Sequence, residues 1–417
     1  MTRCLERLYE LASAQDSNDP LGDRKNAFEL PAEVIYLDGN SLGPLTKLAK
    51  QRVNQVVSKE WGEDLITSWN VNGWIDLPRD TGEKIALLLG ADKDQVVCCD
   101  SISVNLFKVL CAALRLNSSR KKVVTTIDNF PTDGYMVQGL NDLLGDGRCE
   151  LVSVNENDIL DALTEDISVL LLTQINFRTG NKLDIEMITQ RAHDAGILVI
   201  WDLAHSAGVI PLSLDKWNVD FAVGCGYKFL NGGPGAPAFV YVSKALQSHY
   251  KQPLQGWMGH AQPFVFSSDY RGAEGIRQNL VGTPSVVSMS LLDASLEVFD
   301  GLEMNEVFDK SQQLIDWFVE VAEQLSLLKH FDIATPLDRS QRGAHLALRH
   351  EHAYAICQAL INEHVIADFR SPNILRLGFS PLFLSFTDIL KAGVCLSSIM
   401  TSQRYLEPRF NVKHKVT

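Results

Sequence analysis

The feature that most constrains this chain is a run of short apolar segments that alternate with helical stretches between residues 95 and 243. QVVCCD (95–100), KVVTTI (122–127), DISVLLLTQI (166–175), GILVIWDLA (196–204), DFAVGCG (220–226) and AFVYVS (238–243) have strand length and are apolar without alternation. Residues 104–116, DGYMVQGLNDLLG and residues 184–195 fall between them with helical spacing. A strand that is apolar on both faces must be covered on both faces, which points to a parallel sheet with helices on either side. We therefore expect an α/β architecture, a mainly parallel doubly wound sheet in a large domain over residues 51–290.

The flanks differ. Residues 1–50 read as a short amphipathic helix, a polar connector and VIYLDGNSLG, a brief strand entering a turn; this segment is expected to pack with the C-terminal part. Residues 46–70 read as one helix with Leu48, Val53, Val56, Val57 and Trp61 as its apolar positions. Residues 291–417 read as a smaller α+β domain: a long helix in GLEMNEVFDKSQQLIDWFVEVAEQL, strands in FDIATPL, GAHLALRH and NILRLGFS, a helix over 352–363, and a last helix from about Ser385.

Composition narrows the function. A net charge of −13 over 417 residues disfavours nucleic acid and anionic membranes as partners. Eight cysteines without a C-x-x-C pair give neither a zinc site nor a disulfide framework. No apolar run is long enough to cross a bilayer and the N-terminus does not read as a signal peptide, so a cytoplasmic location is expected. His350 and His352 flank Glu351 and are expected to face opposite ways as solvated charge.

In open α/β sheets ligands sit beyond the carboxyl ends of the strands, so the residues after each strand carry the most weight. Ser101 and Ser103 follow the first strand and open a helix, an anion site or a plain cap. Phe130 and Asp133 follow the second strand in a turn, where a staple and a cap would also explain them. Thr173 ends the third strand, a hydroxyl of little specificity by itself. Asp202 ends a strongly apolar strand with His205 three residues on, and a carboxylate there is costly unless paired. Tyr227 and Lys228 follow DFAVGCG and precede a glycine-rich turn, FLNGGPG. That turn lacks the G-K-[ST] ending of a nucleotide loop, and no G-x-G-x-x-G opens the first βα unit. Each signal is weak alone. Together they supply an anion cradle, an aromatic ring, a strand-end acid and a later strand-end amine, which are the requirements of pyridoxal 5′-phosphate.

At this point the sequence resembles kynureninase, a fold-type I pyridoxal-phosphate enzyme of the class V aminotransferase group. YLDGNSLG, NLFKVL, NFPTD, WDLAHSAG, GCGYKFLNGGPG and GWMGH carry the resemblance, with RGAHLALRH, NILRLGFSPL and the closing FNVKHKVT in register. The resemblance implies that Lys228 joins the cofactor aldehyde as a Schiff base and later moves protons. It implies that Asp202 pairs with the pyridine nitrogen near His205, that Phe130 stacks on the ring near Asp133, and that Thr173 touches the cofactor. It gives the phosphate to the Ile102 backbone, the Ser103 hydroxyl and Tyr227. Trp257 and Thr283 match positions that reach the site from a partner subunit, implying a homodimer with shared active sites. Arg376 would hold the substrate carboxylate, with Asn40 and Ser41 nearby. Trp69 and Thr283 stand at the aryl end, where a His and Asn pair accompanies preference for 3-hydroxykynurenine. The implied reaction is therefore hydrolysis of L-kynurenine to anthranilate and L-alanine, in tryptophan catabolism, with 3-hydroxykynurenine a poorer substrate.

Two phenylalanines depart from the family pattern: Phe177 and Phe383 stand where tyrosine is common. Tyr227 is a candidate general acid or base at the γ-carbon, or a phosphate ligand only. The rival within the same fold is a class V aminotransferase or a cysteine desulfurase. The latter needs a reactive cysteine on a mobile loop, whereas Cys357 and Cys395 read as helix-interior residues.

Overall fold

The computed structural model describes residues 2–145 and 147–413, so His414–Thr417 at the end of FNVKHKVT lie outside the described residues. In chain order the strands are β1 (Ile35–Tyr36), β2 (Val96–Cys98), β3 (Lys122–Thr126), β4 (Glu150–Val154), β5 (Ile167–Thr173), β6 (Leu198–Asp202), β7 (Phe221–Cys225) and β8 (Ala238–Val242), then β9 (Asp332–Ile333), β10 (His345–Arg349), β11 (Val365–Ile366), β12 (Asp368–Arg370) and β13 (Ile374–Gly378). Seven form one sheet in the order β2-β8-β7-β6-β5-β3-β4. The pairs β4/β3, β3/β5, β5/β6 and β6/β7 are parallel. β8 runs against both its neighbours, so β2 points the same way as β7. This is the mainly parallel sheet expected, and β2, β3, β5, β6 and β7 all end on one edge.

Every residue of β5, β7 and β8 is buried, which is why these segments read as unbroken apolar runs. β4 escaped the sequence reading for the opposite reason: it is an edge strand with exposed and half-buried positions only. The helix expected over 46–70 is also different. A helix over Lys47–Gln55 passes into a π-helical turn over Val56–Trp61, then breaks. There Glu60 is buried and bonded to Arg52, with the Trp74 indole N–H donating to it at 2.8 Å. Turning one acid inward shifts the register, so only Val56 of the expected apolar face is buried, while Leu48, Val57 and Trp61 are exposed.

A second sheet, β12-β13-β10-β9, is antiparallel. The N-terminal segment is tied to this end of the molecule. β1 pairs with β11, and Asp16 accepts the Phe386 and Thr387 N–H groups at 2.6 and 3.1 Å, capping the helix Phe386–Ser402. His350 and His352 do not face apart; both rings pack on Tyr405, with centroids 5.7 and 5.6 Å away. A tight turn after β10 folds the second ring back over the first.

Candidate active site

The parallel strands deliver the candidate residues to one edge. After Cys225 the chain bends through Gly226 and Tyr227 to Lys228, then turns with Asn231 in the left-handed region at φ 57°. Lys228 is half-buried, its Nζ 3.1 Å from His205 Nε2 and 6.0 Å from the ring centres of Phe130 and Tyr227. The loop is held from outside by the YLDGNSLG turn: Gly43 N–H donates to the Tyr227 carbonyl at 2.8 Å. A Cβ on Gly43 would sit 2.4 Å from the Lys228 carbonyl oxygen, so no larger residue permits this approach.

Beside the lysine lie two buried acids. Asp202 ends β6 opposite Thr173 of β5 in the ladder. Among the described residues its carboxylate accepts one hydrogen bond, from Ala204 N–H at 2.7 Å. Burial pushes its pKa above the ordinary carboxylate range, against that bond and the Lys228 charge. Asp133 is raised further, by burial first and by Asp202 second, although Asn129 Nδ2 donates to it at 3.1 Å. The Thr173 hydroxyl donates to Asn129 Oδ1 and lies 3.5 Å from Asp133. Burial, then Lys228, pushes the His205 imidazole well below its usual pKa, so it presents a neutral ring to the amine.

Two cavities meet here. The smaller, about 30 Å³, is lined by Asp133, Thr173, Asp202, His205, Phe177 and Lys228. The larger, about 640 Å³, runs out past Ser101, Ser103 and Thr283. Ile102, Phe130, Thr132, Cys225 and Tyr227 line both, so they form one cleft. At its outer end the helix Ile102–Leu116 opens, with the Ser101 hydroxyl accepting Val104 N–H at 3.4 Å. Ser101 is thus the cap, and Ser103 and the Ile102 backbone face the cavity beside it. The donor set fits a flat, phosphate-bearing, protonated heterocycle: a buried acid with spare acceptor capacity inside, an aromatic wall, and a helix N-terminus outside.

The arginine expected to meet a substrate carboxylate lies at the seam of the two sheets. Arg376 is buried on β13 and its fork is engaged by Asp368, its ladder partner on β12. Nε donates to Asp368 Oδ1 at 2.9 Å, Nη2 donates to the Ser41 hydroxyl at 2.7 Å, and Nη1 donates to the Phe177 carbonyl at 2.6 Å. With its amide turned to face the guanidinium, Asn40 accepts from Nε at 3.0 Å and Nη2 at 3.1 Å. Arg376, Asn40 and Ser41 therefore come together, but around an acid of the chain itself. A Cβ on Gly378 would overlap the end of the Asn40 side-chain amide, so glycine is what lets Asn40 reach in. Sequence reasoning missed Asp368, and the signal was available: DFR precedes NILRLG by a turn's length, and a hairpin there sets Asp opposite Arg.

Three further residues have these places in the single chain. Trp69 lines neither cavity and packs on Trp74, centroids 6.1 Å apart, above the buried Glu60. Trp257 lines neither; it is on the surface with Phe264 and Phe266, at 5.8 and 6.4 Å. Thr283, expected from a partner, lines the larger cavity of its own chain, because the segment after Asn279 folds back against the Ser101 turn.

Relatives along almost the whole length settle the family. The chain is 45% identical over 392 residues to a kynureninase of Deinococcus radiodurans, spanning 93% of this chain and 95% of the relative. It is 41% identical over 408 residues to a kynureninase of Pseudomonas fluorescens, spanning 97% and 98%. The chain belongs to the kynureninase family. Residues 307–396 also match the family of the kynureninase C-terminal domain.

Solved structures show how widely this kynureninase fold is shared. A cysteine desulfurase of Thermococcus onnurineus superposes with a TM-score of 0.76 at 17% identity, over 91% of this chain and 97% of that one. A C-DES mutant with glycine covalently linked to its PLP cofactor gives 0.78 at 15% identity, over 89% and 98%. The fold is thus that of fold-type I proteins. The two departures from the kynureninase pattern have packing explanations. Phe383 is buried between Phe28 and Tyr36, centroids 5.4 and 6.1 Å away. Phe177 packs edge-on against Phe130 at 5.2 Å, and only its carbonyl touches Arg376.

Proposed function

We propose that this chain is a pyridoxal 5′-phosphate-dependent hydrolase that breaks the Cβ–Cγ bond of L-kynurenine and releases anthranilate and L-alanine. Near-full-length similarity to kynureninases carries the reading, and the cleft between Lys228 and Asp202 is consistent with it. Pyridoxal phosphate supplies an electron sink conjugated to the substrate's Cα when it is bound.

The chain's residues do the rest. Lys228 would hold the cofactor and, as a free amine, would take and return a proton at the substrate Cα. Asp202 would pair with the pyridine nitrogen, with His205 neutral beside it. Phe130 would stack on the ring, with Asp133 and Thr173 lining the same cavity. Ile102 N–H, the Ser103 hydroxyl and Tyr227 bind the phosphate, with Thr283 on the facing wall. Burial raises the Tyr227 phenol above its ordinary range, so it stays protonated at neutral pH and can donate a proton at the γ-carbon. Arg376, with Asn40 and Ser41, receives the substrate carboxylate.

Trp257 and Thr283 act across a homodimer interface, and Trp257 lines neither cavity of its own chain. Leu42, Leu45, Leu48, Trp61, Leu65 and Ile66 are exposed and consistent with such an interface. An apolar Trp69 at the aryl end favours unsubstituted L-kynurenine over 3-hydroxykynurenine. The division into residues 1–50, 51–290 and 291–417, and a cytoplasmic location, complete the reading; among the described residues no helix is long and apolar enough to cross a membrane. The desulfurase alternative has less support, since Cys225 and Cys357 are buried with raised thiol pKa values.

The test is anthranilate fluorescence on adding L-kynurenine to the pyridoxal-phosphate-loaded protein. Wild type is expected to produce it and Lys228→Ala to produce none. Alanine formed from cysteine, with no anthranilate from kynurenine, would overturn the assignment.

A further inference from the structure

Lys108 is the one lysine among the described residues whose side chain is fully buried and yet sits within reach of the cleft wall. It lies on the helix Ile102–Leu116, and its side chain runs back toward the helix N-terminus. There it pairs with the Asp100 carboxylate. Nζ also donates to Asn105 Oδ1 at 3.0 Å and to the Asn279 carbonyl at 2.7 Å, and lies 3.6 Å from Cys99 Sγ. Burying an ammonium is costly, and an apolar side chain of similar length would fill the space without that cost.

Its partners explain its place. Asp100 lines the larger cavity next to Ser101, Ile102 and Ser103, and its backbone is left-handed at φ 50°, a conformation that Asp tolerates better than most L-residues. Asn279 begins the segment that carries Thr283 to the opposite wall of the same cavity. One amine thus ties both walls of the outer cleft together. It also neutralises an acid that would otherwise face any anion bound at the helix N-terminus.

We propose that Lys108 is a positioning residue for the cofactor phosphate: it fixes the Asp100–Ser103 turn against the Asn279–Thr283 wall and cancels the Asp100 charge beneath the bound anion. This rests on the assignment of pyridoxal phosphate to the cleft. It separates from that assignment because it concerns the phosphate alone, whereas the assignment concerns attachment at Lys228.

The experiment compares binding of pyridoxal 5′-phosphate with binding of pyridoxal, which lacks the phosphate, by absorbance titration. Mass analysis after borohydride confirms attachment. Lys108→Met is expected to weaken pyridoxal phosphate by about tenfold or more, since an uncompensated acid then faces the phosphate, while pyridoxal binds as in wild type. The Asp100→Asn, Lys108→Met double variant should recover most of the loss. If Lys108→Met does not fold, Asp100→Asn decides: it leaves the amine unopposed and should bind pyridoxal phosphate more tightly than wild type, with pyridoxal unchanged. Equal losses for both ligands in Lys108→Met, no loss at all, or Asp100→Asn binding pyridoxal phosphate no tighter than wild type would each overturn the proposal. Failure of wild type to attach pyridoxal phosphate at Lys228 would instead overturn the cofactor assignment.

Discussion

Two acid clusters flank the cleft, and they are balanced in opposite ways. Around Lys228 the chain buries Asp202 at the end of β6 and Asp133 in the first turn of the helix Pro131–Leu144, and burial raises both against the opposing Lys228 charge. Around Arg376 two guanidinium groups meet two acids. Asp368 takes the charge and is lowered, since attraction to Arg376 and Arg370 and their hydrogen bonds together outweigh its burial. Asp38, beside it, is raised to about 7 by burial and then by Asp368. The first cluster holds acceptor capacity that suits a cationic ring; in the second the Arg376 fork is filled by partners within the chain. Carboxyl groups shifted by burial cluster at functional sites, and both ends of the cleft carry one.

The largest effect should come from the first cluster. Asp202→Asn is expected to lower kcat by on the order of 10²–10³-fold, as for loss of a preorganised electrostatic group, while the protein still binds pyridoxal phosphate; steady-state anthranilate release checks it. An unchanged kcat would erase the contrast between the clusters. Next, Asp368→Asn leaves the buried Arg376 and half-buried Arg370 guanidinium groups facing one weak acid. It should destabilise the fold by about 3–5 kcal/mol in urea unfolding, and raise KM for L-kynurenine.

A smaller effect is expected with pH. Because the folded pKa of Asp38 is raised to about 7, its contribution to stability is full below the ordinary carboxylate range, near pH 4, and is lost as pH rises toward 7. Asp38→Asn should therefore gain stability relative to wild type as pH is raised over that interval, read as the difference in Tm. A constant difference would show that Asp38 titrates normally. The smallest effect is Phe177→Tyr, which should alter kcat/KM by no more than about twofold, because only the Phe177 carbonyl engages Arg376.

The strands that reach the cleft were legible because their environment is uniform. β5, β6 and β7 are buried on both faces and spell it in unbroken apolar letters, so Thr173, Asp202 and Lys228 were found as punctuation at their ends. Where burial depends on one turned side chain, the pattern misleads. Glu60 breaks the helical register at Val56–Trp61, and no periodicity signals an acid folding inward. Arg376 was legible as a residue but not as a pair, because its partner lies on β12, a strand of three residues too short to announce itself. Trp69 and Trp257 carried their expected roles only through resemblance, and in the single chain both stay outside the cleft.

One amine, on the turn after β7, is expected to hold the cofactor. The most direct test is borohydride reduction of the pyridoxal-phosphate-loaded wild-type protein, followed by peptide mapping. The account predicts one pyridoxyl group per chain, on the peptide containing Lys228. A label on any other lysine, or none, would contradict it.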